Sequence, residues 1–313
     1  MHDQDPTRPD ALLEALGRRS LLAGAGGLLL GAAAWPGLAA AAPAAAAVPG
    51  GTTPAGTTPG APADPVAAGQ QDPWMRDPQR RYENFLRVTG DLSGRVSPQW
   101  WRGVYIGIVP GSQPRVLFRL HGCEMKRLFR RSATECELQY RLFTSFDDPV
   151  TGEPLAGKRW LNPYTNQEVV VEPNIGTADT VVRLTDRGVV ETARAGGFDG
   201  LVHLHWAAQD STVMMSGNKD RPPSTPAPTG EYASHWIDRA AAADFGAPRL
   251  EMSFCSTFMW GFRKFLGMPP GSGVTVWHAA GIKARSVDEL PEAYLRELWR
   301  HRPELREWIR AGG

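Results

Sequence analysis

Cysteine is scarce in this chain: Cys123, Cys136 and Cys255 are the only three in 313 residues. That count excludes a fold stapled by disulfides, and its oddness leaves at least one thiol without a partner in the same chain. Small buried hydrophobes are the simplest reading of all three. Short catalytic signatures are missing as well. The sequence has no Gly-x-Ser-x-Gly, no His-Glu-x-x-His, no phosphate loop and no Cys-x-x-Cys. The string GMPPGSG (267–273) is Gly-rich but lacks a lysine and a following helix, so it reads as a turn. Charge of one sign is not in excess either, with 34 basic against 33 acidic side chains. Nothing in that balance points to nucleic acid.

A long, strongly apolar run is also absent. Residues 17–47, GRRSLLAGAGGLLLGAAAWPGLAAAAPAAAA, are thinned by Gly and Ala, which is poor material for a membrane span. Arg18-Arg19, then Ser20-Leu21-Leu22, an apolar middle and an Ala-x-Ala end match a twin-arginine export signal, with Gly17 where Ser or Thr is usual. Residues 1–47 are therefore expected to be a signal peptide cleavable near 44–47, with a retained anchor as the alternative. Such a signal implies a folded passenger, the twin-arginine translocase as a transient partner, and a periplasmic or secreted location. No membrane span is expected in the mature chain. Without residues 1–47, which hold three arginines and four acids, the balance is 31 basic against 29 acidic. Residues 48–73 are Pro, Thr, Gly and Ala without apolar period and read as a linker. Residues 74–313 remain, about 240 positions, a size suited to a single β-rich domain.

What is present is alternation. RDPQRRYENFLRVTGD (76–91) predicts a short helix, with Asp77 as cap, Pro78 in the first turn and Gly90 at the end. Tyr82, Phe85, Leu86 and Thr89 give it one buried stripe. Strands then follow at 100–111, 115–131, 135–148, 168–171, 179–194, 199–220, 249–260 and 272–284, several of them paired around short turns. Gly103 and Gly107 in the first predict a curved strand or a close neighbouring backbone. The stretch 221–231 reads as a Pro-rich loop, and 287–310 as a helix broken near Pro303. Short strands with helices only at the two ends predict a mainly β fold: an antiparallel β-barrel, closed in the manner of a lipocalin, with a β-sandwich as the alternative.

Two blocks carry a family resemblance. DDPVTGEPLAGKRWLNPYTNQEVVVEPN (147–174) and WGFRKFLGMPPGSGVTVWHAAGIKARSVDELPEAY (260–294) resemble, in order, two motifs of the family catalogued as domain of unknown function 1838. The resemblance extends over roughly residues 75–310, an ordinary domain. Asn166 stands where the family pattern has Gly, and Trp277-His278 where it has Tyr-His. Members of that family often carry twin-arginine signals and have no established activity, so the resemblance implies export and one domain but no chemistry.

Two kinds of site are legible. In LVHLHW (201–206), His203 and His205 share one face of a strand, opposite Val202, Leu204 and Trp206. With a carboxylate, His121, His235 or His278 as a third ligand, they are candidates for a divalent transition metal; an apolar face turned to the core would instead send them to solvent. The second is a pocket inside the barrel for a small molecule. Its expected lining is Tyr105, Tyr140, Trp160, Trp206 and Trp277, with Phe118, Phe143 and Phe258, while Arg119, His121 and Arg141 fix a polar group. A small-molecule-binding barrel is thus the first functional expectation. The alternative is an exported enzyme, metal-assisted or working by histidine and carboxylate acid–base chemistry, on a small organic substrate.

Overall fold

The computed structural model describes residues 72–193, 200–220 and 230–312. The expected signal and nearly all of the linker lie outside the described residues. The described residues fall within one compact unit. Among them no helix is long and apolar enough to cross a membrane.

Ten strands close into a barrel: β1 (Ser97–Ile108), β2 (Arg115–Arg130), β3 (Glu135–Asp147), β6 (Asn174–Thr185), β7 (Gly188–Ala193), β8 (Gly200–Gln209), β9 (Thr212–Asp220), β10 (Gly230–Asp238), β11 (Met252–Gly261) and β12 (Val274–Lys283). Each pairs antiparallel with the next, and β12 pairs back onto β1 from Gln99↔Lys283 to Ile108↔Val274. One excursion interrupts the meander: β4 (Arg159–Leu161) and β5 (Glu168–Val170) form a hairpin between β3 and β6. The barrel expected from the sequence is the one found, rather than the sandwich. β10 is a correction, because its first residues fell in the expected loop and the rest were not read as strand. Its alternation is inverted: Tyr232 and Trp236 are exposed, while the partly buried Ala233 and His235 occupy the other face.

Helix α1 (Pro78–Thr89) caps the barrel end where β1 begins and β12 finishes. Asp77 Oδ1 accepts from the backbone N–H groups of Gln79 (2.8 Å) and Arg80 (3.4 Å), and Gly90 ends the helix. Its expected stripe, Tyr82, Phe85, Leu86 and Thr89, is buried. The last carbonyls of a helix lack intrahelical partners, and here the barrel rim supplies them. Lys283 Nζ donates to the carbonyls of Arg87 (2.6 Å), Val88 (3.2 Å) and Gly90, and Gln99 Nε2 donates to those of Val88 and Thr89. Across the mouth, Tyr82 Oη donates to Val182 O, and Asn84 Nδ2 to Ala242 O in the short helix α2 (Arg239–Ala243). The cap is thus tied at β1, β12, β6 and the β10–β11 connection.

The C-terminal helices α3 (Glu292–His301) and α4 (Leu305–Arg310) separate at Pro303, as the sequence predicts. They cover the outside of β1–β3: Tyr294 Oη donates to Phe143 O (2.9 Å), and His301 stacks on the Phe143 ring at 5.6 Å. Cys123 lies opposite Phe143 and Cys136 opposite Arg130, and all three cysteines are free.

Candidate functional site: the barrel lumen

Register assigns the inner face. Trp101 pairs with Gly281, which pairs with Phe254; His235, Met215 and Trp206 continue the same row over β10, β9 and β8. Trp101, Phe254, Met215 and Trp206 share one buried cluster with Tyr82, Phe85 and Leu86 of the cap, so this row faces inward. Trp101 can lie across β2 only because Gly122 is beside it; a Cβ there would sit 2.5 Å from the indole. Trp74, from the turn before α1, meets Trp206 edge-on at 5.1 Å.

One level further from the cap, five consecutive strands present small residues inward: Gly103, Ala279, Ser256, Ala233 and Gly217, with Leu204 next in the row. Large side chains fill a small barrel; a belt of small ones leaves room. Leu142, Leu204, Gly217, Ala233 and His235 point inward, yet each keeps partial exposure. Gly103 has a second reason to lack a side chain, since a Cβ would meet the His278 carbonyl oxygen at 2.2 Å. That is the close backbone approach the sequence predicts.

Towards the other end the interior is aromatic. Tyr105, Phe118, Phe146 and Trp277 pack with ring centroids 5.1–5.8 Å apart. The β4–β5 hairpin folds over this group. Trp160 lies 4.7 Å from Phe118, and Tyr164 Oη donates to Gly107 O (2.6 Å).

Charge also enters the lumen. Glu124 and Lys126 alternate with Gly122 and Leu128 on the inner face of β2, and Lys126 Nζ lies 2.7 Å from Glu124 Oε2 and 2.8 Å from Gln99 Oε1. Lys219 and Glu191 form a second inward pair, nearly buried. Across from Lys126, burial and the nearby Lys126 and Lys283 cations push His235 down to about 3, so its imidazole is neutral. Its Nδ1 is buried without a partner in the wall.

Of the expected pocket residues, the barrel brings Tyr105, Tyr140, Trp206 and Trp277 to the inner face, with Phe118 and Phe258, and sets Trp160 over the mouth. Arg119, His121, Arg141 and Phe143 lie on the outer face, a correction that strand parity alone explains. Arg119 is exposed. Arg141 Nη1 donates to Asp179 (3.1 Å), and its guanidinium covers Trp308. His121 sits in a pocket beneath α3, accepting from Arg102 Nε at 2.7 Å and lying 3.9 Å from Asp147. Burial and Arg102 push His121 down to about 4, while burial raises Asp147 despite the Ser145 hydroxyl that donates to it at 2.6 Å.

The three metal candidates do not converge. His203 and His205 point outward from β8, with Val202, Leu204 and Trp206 inward. His278 points outward from β12, with its Nδ1 3.0 Å from Thr257 Oγ1. Three strands stand between β8 and β12, roughly 19 Å of wall at the usual strand spacing. Among the described residues no group of three or more His, Cys, Asp or Glu is arranged to hold a metal.

The inward polar residues Glu124, Lys126, Glu191 and Lys219 carry no site signal in the sequence, and His235 carries one only as a possible third metal ligand. Charged residues on an alternating strand read as the solvent face, and in this barrel part of the inner face is charged.

Residues 95–193, which span β1 to β7 and the β4–β5 hairpin, match the model of a family described as protein of unknown function (DUF1838). The expected family resemblance holds over that stretch, and its second block lies beyond it. No curated protein and no solved structure matches the chain.

Proposed function

We propose that this protein is a small-molecule-binding barrel whose ligand occupies the lumen between the α1 cap and the aromatic group under the hairpin. The belt of small residues carries the reading: Gly103, Ala233 and Gly217 keep partial exposure on the inner face of a closed barrel, beside the buried Ser256 and Ala279. The wall is mixed, with Trp101, Phe254, Leu204 and Leu142 beside Lys126, Tyr140 and His235. That combination suits a compact organic molecule with an apolar body and one polar end. The alternative of acid–base catalysis has a residue to offer in His235, but a base held near 3 is poorly matched to proton abstraction at neutral pH. Binding is therefore the better supported role. Export by the twin-arginine route, inferred from Arg18-Arg19 and the run behind them, completes the proposal and places binding outside the cytoplasm.

A titration of the full chain with the apolar fluorescent reporter N-phenyl-1-naphthylamine tests this reading. Saturable binding is expected. Ala233→Trp, which fills the belt from the middle of β10, is expected to abolish it while the far-ultraviolet dichroism stays that of a β protein. Equal binding by the variant would place the reporter elsewhere and defeat the proposal.

A further inference from the structure

The polar side chains of the lumen also define the kind of polar end the ligand carries, an inference that rests on the lumen reading above. Lys126 reaches the lumen with 14% of its side chain exposed, and its ammonium has three N–H groups but two partners, Gln99 Oε1 and Glu124 Oε2. The third N–H is a donor in search of an acceptor. His235, on the opposite wall, is stacked on Phe254 and keeps partial exposure as a residue, while its Nδ1 is buried and has no partner. A ligand oxygen between them would meet one ammonium donor and one neutral imidazole.

A carboxylate is the wrong oxygen. Lys126 is already neutralised by Glu124, whose side chain is 30% exposed and would face an incoming anion at close range. Lys219 is committed to Glu191, and Lys283 is buried and committed to the carbonyls that end α1. Every lysine named on the inner wall therefore has its partner, and a buried anion without its own counter-charge is strongly disfavoured. An uncharged carbonyl needs only a donor. We propose that the lumen selects uncharged, carbonyl-bearing amphipathic molecules, such as lactones, ketones or esters with a medium-length alkyl body, and that Lys126 donates to the carbonyl oxygen.

Competition against bound N-phenyl-1-naphthylamine at pH 8 tests this on the unaltered full chain, with γ-dodecalactone and dodecanoate as probes of equal carbon number. The lactone is expected to displace the reporter at least tenfold more tightly than the carboxylate. Lys126→Met is expected to weaken the lactone roughly tenfold or more relative to that variant's own reporter affinity, the range for a hydrogen bond from a charged donor. Lys126→Arg, which keeps the donor, is expected to recover part of the loss. Dodecanoate binding as tightly as the lactone, or a lactone affinity indifferent to Lys126→Met, would overturn the inference while leaving a ligand-binding lumen standing. Failure of the reporter to bind the unaltered protein would remove both.

Discussion

His121 and His235 are both neutral in the folded protein for the same dominant reason, burial, helped in each case by a neighbouring cation. One is packed outside the barrel under α3 and the other faces the lumen, yet they act together on stability. Folding holds each below its ordinary value of about 6.5, so between about pH 6.5 and pH 4 the unfolded chain binds protons that the folded chain refuses. Stability is then present above that window and lost as pH falls through it, with a slope approaching about 2.7 kcal/mol per pH unit for two protons. Asp147, raised by burial, acts in the opposite sense, but only near the carboxylate range. Thermal melts are expected to show Tm falling from pH 7 to pH 4.5, with the slope roughly halved in His121→Gln or His235→Gln. A Tm flat over that range would show that neither histidine is held neutral. Asn166 shows at the same scale how a departure from a family pattern finds its reason. It stands where the pattern has Gly, and its φ is +55°. Among residues with a side chain, Asn is one of the few that tolerate this left-handed region, so the turn needs that conformation rather than glycine itself.

Helix α1 is the element most fully legible in the sequence. Its cap, its proline, its stripe and its terminal glycine are local signals, and local signals survive without knowledge of the fold. Its role is tertiary: it stoppers the barrel and is held there by Gln99 of the next strand and Lys283 of the last. Asp77→Ala removes the acceptor for two backbone N–H groups and is expected to cost about 1 kcal/mol, measured by urea denaturation; no loss would mean that the rim contacts alone hold the helix start. Strand β10 is the opposite case. Strand prediction assumes large apolar residues inside and polar ones outside, and β10 places Tyr232 and Trp236 outside with Ala233 and His235 inside. On the proposed reading, that inversion follows from facing a lumen instead of a packed core. The charged inner positions of β2 are illegible in the sequence for the same reason.

At the scale of the whole molecule, closure was legible because strand count, turn spacing and terminal helices are all sequence properties. The interior was not, because which parity faces inward depends on what covers the other side. On β1–β3 both faces are covered, one by the cap and lumen residues, the other by α3 and α4, so Trp100 and Trp101 are both buried. Alternation cannot rank two dry faces. For that reason the sequence points His121 and Phe143 into a pocket, whereas they pack beneath a helix. The same uncertainty governed LVHLHW, where register settles the matter: Val202, Leu204 and Trp206 face inward and the two histidines outward. The barrel so built has a stopper at one end, aromatic packing toward the other and a belt of small residues between.

A crystal structure of the full chain grown with γ-dodecalactone tests that central claim most directly. The account predicts electron density inside the barrel beside Ala233 and Gly217, with an oxygen of the ligand within hydrogen-bonding distance of Lys126 Nζ. An interior closed by side chains at that level, with no ligand density, would contradict it.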